Sequence, residues 1–236
     1  MENISHYGGD PSQVTVFGQS AGAMSIRWLL DHPERLFRRA IIQSDPRIVN
    51  PLSFQDATEV SKTFLGYLEG DPISASPDEI LNGLHRVNSE NPATKGANIP
   101  LPFRPVSTGW EARDLTGIDV IYGWNSDELA AFGGPLDSGF FADPELSFAA
   151  SLKERGAQVF PYHLSWRPAG SPFGSTHCVE LPLLLGSAAA WAGSPMLGDV
   201  PWDEVDRLGQ QIRASWLSFA KTGVPKPVDH LPFEWL

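Results

Sequence analysis

Val14-Thr-Val-Phe-Gly-Gln-Ser-Ala-Gly22 decides the reading of this chain. The β-branched run Val14–Phe17 suits a buried strand. Gly18 and Gly22 bracket Ser20 in a G-x-S-x-G pattern. Ala21–Leu30 then has helical composition and stops near Asp31-His32-Pro33, where proline disfavours continuation. A serine on so sharp a strand-to-helix bend stands at the carboxyl edge of a sheet, above a helix N-terminus whose amides favour developing negative charge. The five-residue pattern alone recurs by chance. The strand before it and the helix after it make it a nucleophile elbow, with Ser20 as nucleophile and the backbone N–H of Ala21 as one oxyanion donor.

Working outward, Ala40–Gln43 reads as a second buried strand, and Ile118–Tyr122, closed by Gly123, as a third. Gln158–His163 is a weaker fourth, and its Pro161 predicts an edge or bulged strand. Helices are expected over Pro51–Leu68, Pro77–Val87, His177–Leu185 and Trp202–Thr222. The last places Val205, Leu208, Ile212, Trp216 and Phe219 at helical spacing and meets a natural C-cap in Gly223. Short apolar strands alternating with helices point to an α/β protein, with a mostly parallel sheet covered by helices on both faces. A single domain over residues 1–236 is expected. Met1–Tyr7 followed by Gly8-Gly9 reads as the last turns of a helix and its cap, too short to nucleate alone. The first strand would then be an exposed edge, so the N-terminal strands of the sheet are expected to be missing from this sequence.

Composition narrows the partners. Of 236 residues, 42% are hydrophobic and 19% charged, enough for a real core, and eight Trp and thirteen Phe supply bulk for packing or for an apolar pocket. Twenty-eight acidic against 17 basic residues leave a net charge of −11, which repels phosphate backbones and anionic lipid. Neither nucleic acid nor membrane is an expected partner. The lone Cys178 precludes an intrachain disulfide. The opening MENISHYGGD lacks the basic and apolar regions of a signal peptide. No apolar run approaches the roughly 18 residues of a membrane helix. A cytoplasmic location is the expectation.

Beyond the elbow, the likeness to one family spreads along the chain. Tyr7–Gly22 resembles the type B carboxylesterase family, which includes cholinesterases and bacterial para-nitrobenzyl esterases. Leu36–Ser44 resembles the segment after the elbow helix there, with Asp45 where a glycine is usual. Pro102–Val106 resembles a later segment, with Thr108 in place of the usual Asp, and Trp216–Gly223 resembles the C-terminal helix. The resemblance implies the α/β-hydrolase fold and hydrolysis of small carboxylic esters through an acyl-enzyme, without metal or organic cofactor. In Gly123-Trp-Asn-Ser-Asp-Glu128 it implies Glu128 as the triad acid, while composition leaves the adjacent Asp127 open. In Gly174–Pro182 it implies His177 as the base. Ser20, Glu128, His177 is the chain order α/β-hydrolases use. His6, His32, His85, His163 and His230 read as structural or surface residues. Cys178 reads as a packing residue or as a redox-sensitive thiol beside the base.

Two departures from the family stand out. Its further oxyanion donors come from a His-Gly-Gly-type loop, but the Gly pairs of this sequence, Gly8-Gly9 and Gly133-Gly134, do not follow His. The stretch between Glu128 and His177 is shorter than in the long members, so an open pocket is expected, with Trp124, Phe132, Phe140 and Phe141 as its walls or as ordinary core. An inactive or impaired fragment of an esterase is the alternative. A non-catalytic binding module ranks last, because such relatives commonly lose the serine or histidine and this chain keeps all three residues.

Overall fold

Neighbouring strand residues bury themselves on opposite sides of one sheet. In β2 (Arg39–Gln43) and β3 (Asp119–Asn125), Ala40, Ile42, Val120 and Tyr122 face one core, and Ile41 and Ile121 face the other. Continuous apolar runs are what a parallel strand covered on both faces requires. The computed structural model describes residues 3–47, 49–68, 70–91, 101–107, 109–110, 112–136, 142–229 and 232–236. Among them a sheet runs in the order β1 (Thr15–Gln19), β2, β3, β4 (Gln158–Leu164), β5 (Phe233–Trp235). The first three pairings are parallel, and β4 to β5 is antiparallel.

One face carries α1 (Ala21–Leu29) and α4 (Ala142–Glu154), through Ala23, Ile26, Phe148 and Leu152. The other carries α5 (Leu181–Leu184) and α7 (Trp202–Thr222), through Leu183, Leu208, Ile212 and Phe219. The C-cap of α7 is Gly223 at φ 83°, as its glycine predicts. A short helix α6 (Ala188–Trp191) precedes α7. The elements divide between two compact units, residues 1–47 with 112–236, and residues 48–111. The second unit holds α2 (Phe54–Leu65) and α3 (Pro77–Glu90), which enclose Leu52, Val60 and Val87. Ser76 and Glu79 cap α3 reciprocally.

Three expectations need correction. β4 is not an edge strand, since β5 pairs with it at Tyr162–Leu164. Pro161 is tolerated because only its acceptor is used there: its carbonyl takes the Leu236 N–H at 2.9 Å. The helix expected from His177 starts only at Leu181, because Cys178 sits at φ 73°, incompatible with a right-handed helix. The helix expected over Pro51–Leu68 is shorter, starting after Ser53, whose hydroxyl accepts the Asp56 N–H. Helices α4 and α6 and strand β5 carry too little periodicity to read from sequence. Among the described residues no helix is long and apolar enough to cross a membrane.

Candidate active site

Ser20 bridges β1 and α1 at φ 56°, ψ −118°, a conformation a non-glycine residue holds only at a cost of about 1–3 kcal/mol. Its N–H is held by the Gln43 carbonyl at 3.0 Å, and its own carbonyl accepts from Met24 N at 2.9 Å. The bend is tight because strand and helix nearly touch: a Cβ on Gly18 would lie 2.5 Å from the Gly22 carbonyl carbon. Ala21 is the first residue of α1, so its N–H has no acceptor within the helix.

The loops after β3 and β4 converge on the same edge. Oε2 of Glu128 lies 2.6 Å from Nδ1 of His177, and Oε1 accepts the Asn125 N–H at 2.8 Å. Glu128 is 1% exposed. Burial pulls the His177 pKa down, but the Glu128 hydrogen bond and charge, with the Glu180 charge behind them, outweigh it and leave the imidazole above its usual value. The alternative acid is engaged elsewhere. Asp127 accepts from Arg167 at 2.9 and 3.0 Å and from the Ser175 N–H at 2.7 Å.

Residues to which the sequence assigned no role complete the surroundings. Glu180, fully buried, accepts from Asn125 Nδ2 at 2.7 Å, and burial pushes its pKa up to about 7. Gln19 places its amide nitrogen 3.2 Å from His177 Nε2, and its amide oxygen accepts from Cys178 Sγ at 3.3 Å. Among the described residues the Ser20 hydroxyl makes no hydrogen bond to the imidazole, whose Nε2 is met by Gln19 instead. Gln19 occupies the variable position of the elbow and Glu180 lies three residues after His177, but only contacts reveal their part. Burial raises the Cys178 thiol to about 11, so it keeps its proton near neutrality. Asp45, at the position where a glycine was expected, is buried and paired with Arg27 at 2.5 Å.

Of the proposed pocket walls, Trp124 is buried against His163, and Phe132 is largely exposed with its ring centroid 5.6 Å from that of His177. Phe140, Phe141, Thr108 and His230 lie outside the described residues. Among the described residues no group of three or more His, Cys, Asp and Glu side chains suits a metal ion.

Residues 1–89 match the model of the carboxylesterase family. The chain is 30% identical, over 94% of its length, to "Probable N-octanoylanthranilate hydrolase AqdA2" of Rhodococcus erythropolis. It is 29% identical, over 95% of its length, to the para-nitrobenzyl esterase of Bacillus subtilis. It covers 57% and 56% of those proteins, so it spans little more than half the length of these curated relatives. A solved PNB esterase structure superposes on 99% of the chain with TM-score 0.71 at 24% identity, the chain covering 59% of it. A Geobacillus stearothermophilus carboxylesterase superposes on 100% with TM-score 0.69 at 23% identity, 60% of it being covered. The sheet and helices described above are those of the α/β-hydrolase fold.

Proposed function

We propose that the chain acts as a serine carboxylesterase on small carboxylic esters, with Ser20, His177 and Glu128 as its triad, a reading that its likeness to the carboxylesterase family supports. The observation that carries this reading is the 2.6 Å contact between buried Glu128 and His177 beside the strained Ser20 bend. Glu128 holds the proton on Nδ1, which leaves the Nε2 lone pair as the base. His177 takes the Ser20 proton as Oγ adds to the ester carbonyl, and the Ala21 N–H receives the oxyanion. The imidazolium then protonates the departing alcohol. Water, activated by the same nitrogen, releases the acid and restores Ser20. No step calls on a cofactor. The net charge of −11 supports a reading in which neither nucleic acid nor an anionic membrane surface is a partner.

The share of its relatives that the chain spans favours a second reading, a catalytically impaired portion of such an esterase. With Ala21 as the one assigned oxyanion donor, turnover would fall by roughly a hundred- to a thousandfold for each donor lacking. Hydrolysis of a short para-nitrophenyl ester by the purified chain, beside Ser20→Ala, tests both. A Ser20-dependent rate supports the esterase, its size separates the full from the impaired version, and equal rates in the two proteins end the proposal.

A further inference from the structure

We infer that Gln19 is a latch on the catalytic base, holding His177 in a resting state from which Ser20 cannot be deprotonated until the Gln19 side chain swings away. The inference rests on the esterase reading and concerns a residue to which that mechanism gives no part.

Nδ1 of His177 faces a buried carboxylate at 2.6 Å, so Nδ1 carries a proton and neutral imidazole offers a lone pair at Nε2. That lone pair is the acceptor Ser20 needs. In the structure Nε2 meets the Gln19 amide nitrogen at 3.2 Å. The amide is oriented independently, because Cys178 Sγ donates to its oxygen at 3.3 Å and so turns the NH2 group toward the ring. Gln19 therefore donates to the atom that must accept the serine proton, and the two uses exclude each other. Cys178 can play this part because its raised pKa keeps the thiol protonated.

There is room for the latch to open. Gln19 lines a cavity of about 530 Å³ together with Phe17, Ile41, Leu184, Trp216 and Leu217. A carboxamide turned into this mostly apolar space gives up two neutral hydrogen bonds, one to the imidazole and one from the Cys178 thiol, each a modest cost. Substrate that reaches Ser20 would then find Nε2 free. Gln19 acts through His177 and is a positioning residue.

The test uses the full chain and a fluorophosphonate probe. In the labelling step Ser20 Oγ bonds to phosphorus, the P–F bond breaks, fluoride leaves, and the serine proton passes to His177. Ser20→Ala and three variants at residue 19 are compared: Gln19→Ala, Gln19→Met, which keeps length and bulk without a donor, and Gln19→Glu. One neutral hydrogen bond corresponds to a rate change on the order of two- to tenfold, so Gln19→Ala and Gln19→Met should both label that much faster than the parent. The titration of His177, followed by NMR of labelled histidine, is the second readout. A donor to Nε2 favours the neutral ring, so its loss should raise the His177 pKa by about half a unit in both variants, and Gln19→Glu should raise it further. Labelling that is unchanged or slower in Gln19→Met, while Ser20→Ala abolishes it, overturns the latch and leaves the esterase standing. If no protein labels at Ser20, the hydrolase reading fails. The latch, which rests on that reading, then falls with it, whereas an unmoved His177 pKa in Gln19→Met beside Ser20-dependent labelling overturns the latch alone.

Discussion

Arg167 grips both oxygens of Asp127, at 2.9 and 3.0 Å, and this grip separates the roles of two adjacent acids. Asp127 also receives the Ser175 N–H and bridges the loop after β3 to the segment before His177. Its neighbour Glu128 projects the other way, to the imidazole. Replacing each by its amide should therefore have different consequences. Glu128→Gln should lower kcat by about 10⁴-fold with the fold intact, because the amide selects the wrong tautomer. Asp127→Asn should destabilise the fold by roughly 1–3 kcal/mol with a smaller loss of turnover per folded molecule. Urea unfolding and ester hydrolysis on both variants separate the two, and a larger kcat loss in Asp127→Asn would reassign the triad acid.

Glu180 should shape the pH profile. Its charge helps to raise the His177 pKa, and the base works only when neutral. In Glu180→Gln the acidic limb of kcat/KM should move to lower pH. Stability should respond with its own sign. The folded-state pKa of Glu180, about 7, lies above the ordinary carboxyl value, so its contribution is fully present below that ordinary value and is lost as pH rises toward 7. The Gln variant should lack this decline in thermal melts between about pH 4.5 and 7. A limb unmoved by the substitution would argue against coupling between the two buried groups.

The glycines of the elbow should not be equivalent. A methyl group on Gly18 would meet Gly22 and Ala23 backbone atoms at 2.5 to 2.9 Å, whereas one on Gly22 meets nothing within 4 Å. Gly18→Ala should therefore cost about 2 kcal/mol or more, or displace the serine and abolish labelling. Gly22→Ala, within helix α1, should be neutral or stabilising by up to about 1 kcal/mol. Paired denaturation curves decide, and equal costs would mean that the strand and helix are not in close contact.

A buried acid remote from the elbow predicts alkaline instability. Glu145 of α4 is fully buried, and burial, with the Asp45 charge adding to it, pushes its pKa to about 8. Its neutral form favours the fold, so stability should fall as pH rises from the ordinary carboxyl range through 8. Glu145→Gln should remove most of that fall, a difference on the order of 3 kcal/mol at pH 9. Melts of both proteins across pH 6–9 that run parallel would contradict the buried-acid assignment.

The elements legible in the sequence were those whose signal is local. Val14–Phe17 carries strand chemistry in its own side chains, Gly18 and Gly22 announce the bend, and Gly223 ends α7 within one residue of its expected stop. Helix α4 was illegible because Pro144 and a weak apolar pattern disguise it, and β5 because three residues hold no period. Within the site, Ser20 could be read from its bend, and His177 and Glu128 from family likeness. Composition could not rank Glu128 against Asp127, since two neighbouring carboxylates have the same chemistry.

By itself, then, the sequence determined a strand-turn-helix bend carrying Ser20, the α/β alternation and a strongly acidic net charge, because each depends on residues close together in the chain or on a sum over it. Tertiary structure alone decided which acid faces the imidazole, that Arg167 claims the other, that Glu180 and Glu145 are buried enough to hold protons near neutrality, and that Gln19 meets the His177 ring. Each of these is set by distance and by exclusion of water between segments far apart in sequence, and hydrogen bonding and ionisation respond to that surroundings more than to residue type.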